Sequence, residues 1–274
     1  MSSLKNVRVA LLEARLSGEL SDLVRRAGGV PYSAPAVREV PRLEQVPGLI
    51  DALSAGRSSV VVFLTGAGVM ALMREAERLG RLEEALTALR AATIACRGPK
   101  PSAALNRYAV PVQIKAIEPY TTRELLDGLS GVNLSAKGVA LVHYGEPNHV
   151  LANELTARGA RLEEWCLYEW LLPEDIRPLA ALVGDLIDRR VDAIAFTSQI
   201  QCRNLVRLAA EAGKADELVS VLNDHTIVAA IGPVCAAALR ALGITPDVQP
   251  AHPKMGPLIA ALADYVELSE EASD

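Results

Sequence analysis

Short apolar runs alternate along this chain with longer stretches whose apolar residues recur every three or four positions. The first run, VRVALL (7–12), reads as a buried strand. In RLSGELSDLVRRAGG, residues Leu16, Leu20, Leu23 and Val24 share one helical face, and Gly28-Gly29 stops the helix. VPYSAPAVREVP is then extended, because prolines 31, 35 and 41 disfavour helix at and before each position. The pattern next predicts a strand at SVVVFLTG (59–66), helices through MALMREAERLG and RLEEALTALRA, a strand at TIACRG (93–98) and a short helix at PSAALNRYA. A strand at VQIKAIEP and a helix at TTRELLDGL follow, the latter opening with a capping-box pattern. The second half opens with a strand at VALVHYG (139–145), a helix at PNHVLANELTARG with Pro147 near its first turn, and the extended run RLEEWCLYEW. A helix over PEDIRPLAALVGDLIDRR is kinked or begun anew at Pro178. The strand DAIAFTS (192–198), helices QCRNLVRLAAEAG and ADELVSVL, the strand HTIVAAIG and helices CAAALRALG and MGPLIAALADYVEL complete the chain. The acidic tail SEEASD is expected to fray.

Strand and helix alternate throughout, which predicts α/β architecture with parallel sheets. The chain also repeats itself. FLTGAGVMALM (63–73) resembles FTSQIQCRNLV (196–206), and ACRGPKPSAALN (95–106) resembles AAIGPVCAAALR (229–240). VALVHYGEPNHVLANELTARGARL has the layout of VRVALLEARLSGELSDLVRRAGGVPY. Short and long units therefore alternate, and two similar domains are expected. They are either sequential, 1–133 and 134–274, or discontinuous, with the chain changing domain at 34–41 and 165–172. Periodicity leaves that choice open.

The corner in AAIGPVCAAALR has two readings. Gly232-Pro233 is a plain strand-to-helix turn, since proline suits the first helical turn. It is also a candidate anion site, since a helix N-terminus presents unpaired N–H groups and partial positive charge. Similar corners follow Thr65-Gly66, Gly98, Tyr144-Gly145 and Ser198-Gln199, where ligands of open α/β sheets bind. Arg97 and Lys100 flank the second of them, as solvated charges or as ligand contacts. Thr65 and Ser198 end equivalent strands, as helix caps or as ligand contacts.

Composition narrows the function classes. With 274 residues the chain is long enough for two domains, and 50% hydrophobic content with only 4% aromatics means a core of Ala, Leu, Val and Ile. Net charge is −5, so the basic footprint of a nucleic-acid binder is absent. No apolar run reaches the roughly 20 residues of a membrane helix, and the N-terminus lacks the pattern of a signal peptide; a cytoplasmic protein is expected. Cysteines 96, 166, 202 and 235 have no metal or disulfide spacing, and histidines 143, 149, 225 and 252 form no metal motif, so no metal is expected. No GxGxxG follows a strand, which disfavours a nucleotide dehydrogenase.

The ordered set FLTGAGVMALM, RGPKPSAAL, LVHYGEP with ELTARGARLEEWCLYEW, DAIAFTSQIQ and AAIGPVCAAALRALGI resembles the uroporphyrinogen-III synthase family over nearly the whole chain. The resemblance implies two α/β domains joined by two extended hinges, with 1–33 joining 173–270, a second domain at 42–164, and hinges at 34–41 and 165–172. It implies a cofactor-independent, monomeric cyclising hydro-lyase of tetrapyrrole synthesis. Hydroxymethylbilane, with eight carboxylates, would lose water, invert its last ring and close as uroporphyrinogen III. The substrate-binding residues are then Thr65, Gly66, Arg97, Gly98, Lys100, Tyr144, Gly145, Ser198, Gln199, Gly232 and Pro233. Tyr168 matches a tyrosine for which the family is known and is the candidate catalytic donor; its alternative is an interfacial packing role. The family often has a threonine soon after each glycine corner, where this chain has Pro101 and Cys235. A non-catalytic tetrapyrrole- or anion-binding protein of the same fold is the alternative function. A solute-binding protein is a third, disfavoured by the missing export signal.

Overall fold

The computed structural model describes residues 3–14 and 16–271. In chain order, β1 (Arg8–Leu11), α1 (Ser17–Arg26) and β2 (Val30–Ser33) form the first unit of the pattern, followed by β3 (Arg38–Pro41). Next come α2 (Val46–Ser54), β4 (Val60–Phe63), α3 (Gly66–Arg78), α4 (Leu82–Ala91), β5 (Thr93–Cys96), α5 (Pro99–Asn106), β6 (Ile114–Lys115) and α6 (Thr122–Gly128). Then β7 (Gly138–Val142), α7 (His149–Ala157), β8 (Arg161–Trp165) and β9 (Tyr168–Leu171) follow. The chain ends with α8 (Arg177–Ile187), β10 (Ala193–Phe196), α9 (Gln199–Glu211), α10 (Ala215–Asp224), β11 (Ile227–Ala230), α11 (Pro233–Ala241) and α12 (Met255–Glu271). Residues 272–274 of the acidic tail expected to fray lie outside the described residues.

The chain divides into two compact units, Met1–Arg38 with Leu171–Asp274, and Glu39–Trp170. The first unit holds a parallel sheet in the order β11-β10-β1-β2. The second holds a parallel sheet in the order β6-β5-β4-β7-β8. Matching β10 to β4, β11 to β5, β1 to β7 and β2 to β8 superposes the two orders, so the internal repeat is a repeat of topology. Even the isolated bridge Ala229↔Val248 stands where Ala95↔Ile114 joins β5 to β6. β3 and β9, from the stretches expected to be hinges, make a two-stranded sheet of their own.

The central strands are buried on both faces, which is why they read as unbroken apolar runs. The chain's two phenylalanines, Phe63 and Phe196, end the equivalent strands β4 and β10 and are fully buried. In the first unit, Ile194, Phe196, Leu205 and Leu239 pack on one face of the sheet, and Val9, Leu11, Leu20 and Leu262 on the other. In the second, Phe63, Leu72 and Leu89 fill one face, and Val62, Leu125 and Leu155 the other. Each unit is thus a sheet between two helical layers.

Three expectations change. The pattern gave no helix at 46–54, yet α2 lies there with Val46, Leu49, Ile50 and Leu53 buried. Pro47 and Gly48 obscured it, although proline in a first turn costs a helix nothing. The strand expected over VQIKAIEP shrinks to Ile114–Lys115 at the sheet edge. The helix expected to open at Pro147 starts at His149, with Pro147 just before the N-cap Asn148, whose Oδ1 accepts from Leu151 N–H at 3.2 Å. The TTRE box forms as expected, with Thr121 capping α6 and Glu124 reaching back to the Thr121 N–H. The helix expected from PEDIRPLAALVGDLIDRR begins at Arg177 with Pro178 in its first turn.

Candidate functional site

In the second unit the C-terminal strand ends gather eight residues that the sequence singled out. Thr65 follows β4 in extended backbone and caps α3, its Oγ1 accepting from Gly68 N–H at 3.1 Å. The same oxygen lies 2.9 Å from the Tyr168 hydroxyl. Thr65 thus performs the capping role weighed for it, and its oxygen also meets a second side chain. A methyl on Gly66 would stand 3.0 Å from the Lys100 carbonyl oxygen, so the N-termini of α3 and α5 nearly touch. Gly98 is the extended N-cap of α5, with Pro99 in the first turn and Lys100 exposed.

Arg97 follows β5. Its guanidinium carbon lies 4.5 Å from the centre of the Tyr144 ring, a cation–π distance. No carboxylate pairs with it among the described residues. Burial lowers its pKa, opposed by the neighbouring Tyr144 and Tyr168. Gly145 adopts φ +75°, and Trp170 packs on it and donates its backbone N–H to the Gly145 carbonyl at 3.1 Å. Tyr168 is 3% exposed. Burial pushes its hydroxyl well above the usual tyrosine range, with Glu39 adding to the shift and Thr65 and Arg97 opposing it, so the phenol keeps its proton at neutral pH. This is a proton donor beside a desolvated cation that, among the described residues, meets no carboxylate.

Behind this face lies His143, which the sequence weighed only as a metal ligand. Asn148 N–H donates to its Nδ1 at 3.1 Å, so the ring proton sits on Nε2 and is donated to Glu164 Oε2 at 2.8 Å. Burial at 2% exposure holds its pKa below the usual 6.5 despite Glu164, and the ring is neutral. A group depressed on folding adds stability above its unfolded pKa and loses it as pH falls through the folded value. Stability is therefore expected to drop on acidification below the ordinary histidine value of 6.5, and His143→Gln to flatten part of that slope. Urea midpoints across that range check it.

The first unit presents the equivalent corners with different chemistry. Ser198 occupies the extended N-cap position of α9 but makes no side-chain cap, so its match to Thr65 holds for the backbone only. Its neighbour Thr197 does the local work. Thr197 Oγ1 donates to Glu13 Oε2 at 2.8 Å and accepts from Gln201 Nε2 at 2.9 Å, and Thr197 N–H donates to Gln201 Oε1. Gln199 opens α9 beside it, and Gly232 is the extended N-cap of α11 with Pro233 in its first turn. Cys235 points inward, 3.7 Å from the Cys202 sulfur and toward the Phe196 carbonyl, and both thiols are free. The residues that sequence reasoning missed, Trp170, His143, Glu13 and Thr197, all adjoin a predicted corner or Tyr168. Trp170 alone had a signal, since the alternation of β9 puts it on the same strand face as Tyr168.

Among the described residues no three His, Cys, Asp or Glu side chains converge as a metal site, and no helix is long and apolar enough to cross a membrane.

Two parallel α/β units of one topology, each with polar groups and helix N-termini gathered at its strand ends, define a class of two-unit α/β proteins built on an internal repeat. The chain belongs to the uroporphyrinogen-III synthase family: the family model described as uroporphyrinogen-III synthase HemD matches residues 18–260. A crystallised variant of the uroporphyrinogen III synthase of Thermus thermophilus is 26% identical and superposes with a TM-score of 0.80, covering 96% of this chain and 99% of its own. The wild-type Thermus protein in another crystal form is 28% identical with a TM-score of 0.61 and the same coverage. A Bacillus subtilis (strain 168) protein, YjjA, described as uncharacterized, is 34% identical over 264 residues, 96% of this chain and 97% of its own.

Proposed function

We propose that the chain catalyses the family reaction, closing hydroxymethylbilane to uroporphyrinogen III with loss of water and inversion of ring D through a spiro intermediate. The observation that carries this reading is the pairing of a protonated, buried Tyr168 hydroxyl with Thr65, beside an Arg97 guanidinium that has no carboxylate partner among the described residues. Tyr168 donates toward the departing hydroxyl oxygen, which leaves as water, and the pyrrole nitrogen assists that departure electronically. With net charge −5, the protein does not steer an octa-anion by bulk field, so recognition is local. Thr65-Gly66, Gly98 with Lys100, and Tyr144-Gly145 serve one unit. Ser198-Gln199 and Gly232-Pro233 serve the other. Each helix N-terminus favours a carboxylate by about 0.3–1 kcal/mol, and Arg97 adds a full charge.

The test is incubation with freshly generated hydroxymethylbilane and separation of the products. Spontaneous closure yields type I, so type III above that background supports the reading and its absence rejects it. Raising salt from about 0.05 M to about 0.5 M is expected to weaken apparent substrate affinity; a salt-independent value counts against carboxylate recognition. The reaction is cofactor-independent and monomeric on this reading, so activity should survive exhaustive chelation and elute at the monomer mass.

A second reading, a tetrapyrrole-binding relative without the reaction, draws on Pro101 and Cys235. Neither offers a ligand a hydroxyl, and Cys235 faces the core. Tight porphyrin binding without type III product would select it.

A further inference from the structure

Trp170 has no part in the chemistry assigned above, yet it touches Gly145, Tyr144 and Tyr168. Its indole lies flat on Gly145, where a methyl would come within 2.7–2.8 Å of Cδ2, Cε2 and Cγ. Its ring centre is 5.6 Å from that of Tyr144, the ring that backs Arg97. It meets Tyr168 edge-on at 6.3 Å. The backbone bond to Gly145 ties β9 to the turn after β7. Arginine is a flexible side chain, and a guanidinium laid on a ring is held in one plane. A tyrosine ring is itself free to turn unless another ring blocks it.

We propose that Trp170 is a positioning residue that holds the Arg97 guanidinium, through Tyr144, and the Tyr168 hydroxyl in one fixed frame. One anionic ligand can then engage both, a carboxylate at Arg97 and an oxygen at Tyr168. This rests on the reading of these strand ends as the substrate face. Leucine at 170 keeps apolar bulk but frees both tyrosine rings; phenylalanine keeps a flat ring.

The experiment compares Trp170→Leu, Trp170→Phe, Arg97→Gln and the Trp170→Leu/Arg97→Gln double variant. Uroporphyrin, an octacarboxylate, serves as binding probe through its own absorption, and hydroxymethylbilane as substrate. Both are normalised to folded protein by circular dichroism. Trp170→Leu is expected to weaken uroporphyrin binding and lower kcat by about tenfold each, with Trp170→Phe recovering most of both. In the double variant the losses should fall short of the product of the single losses, because part of what Trp170 does runs through Arg97. Unchanged affinity and kcat in Trp170→Leu, or fully multiplicative losses, overturn the proposal. Should the parent form no type III product, the reaction reading fails, and uroporphyrin affinity across the four variants still decides the role of Trp170. A parent that neither binds uroporphyrin nor turns over the substrate overturns both.

Discussion

Tyr168→Phe is expected to slow type III formation by about ten- to a hundredfold, the low end of what a general acid contributes or below it. The substitution keeps the ring, and with it the contact to Trp170, and removes only the hydroxyl that lies 2.9 Å from Thr65. Thr65 keeps its bond from Gly68 N–H, so no buried oxygen is orphaned. The stability cost is therefore that of one hydrogen bond, about 1 kcal/mol, or about 2–4 °C in a domain this size. Because burial holds the phenol protonated, the parent's rate should show no loss from tyrosine ionisation as pH rises from neutrality to the ordinary tyrosine value of 10.0. Equal rates for variant and parent, measured at saturating substrate, would reduce Tyr168 to a packing residue and leave the backbone and the substrate's own electronics as the catalyst.

Gly138→Ala is expected to be the most damaging small substitution in the second unit. The glycine opens β7 with no unusual backbone angle; what excludes a side chain is the neighbouring main chain. A methyl there would lie 1.5 Å from the Arg57 carbonyl oxygen and 2.6 Å from its carbon. Just beyond, Ser59 N–H donates to the Gly138 carbonyl at 3.0 Å, and β4 and β7 pair from Val60↔Val139 onward. The strands must separate or the 57–58 segment must move, at a cost of about 3 kcal/mol or more. A fall in urea midpoint that, multiplied by an unchanged slope, gives that cost is the expected readout. Gly184→Ala is the control: it lies inside α8 with nothing within 4 Å of a new methyl, so it should gain about 0.5–1 kcal/mol. A Gly138→Ala protein as stable as the parent would contradict the packing described here.

Both expectations start from residues that sequence patterns treat unequally. Tyr168 stood out through the family resemblance. Gly138 did not, because a glycine at a strand start looks like any turn residue until its neighbour is known. The same asymmetry runs through the site. Thr65 and Ser198 look equivalent in the repeat, but only Thr65 caps its helix. His143 looked like an isolated histidine and is a neutral link between Asn148 and Glu164.

Local pattern alone determined much of this protein: the alternation of strand and helix, the parallel α/β class, the internal repeat and the glycine and hydroxyl corners at strand ends. These are properties of periodicity and backbone preference, which act over a few residues. Tertiary structure alone decided the rest. It placed β1 between β10 and β2, so that Met1–Arg38 belongs with Leu171–Asp274, a choice periodicity left open. It laid Trp170 on Gly145 and Arg97 on Tyr144, over sequence separations of 25 and 47 positions. Such meetings depend on which strands lie side by side and which rings fill the space between them. That is settled only when distant segments compete for the same buried volume.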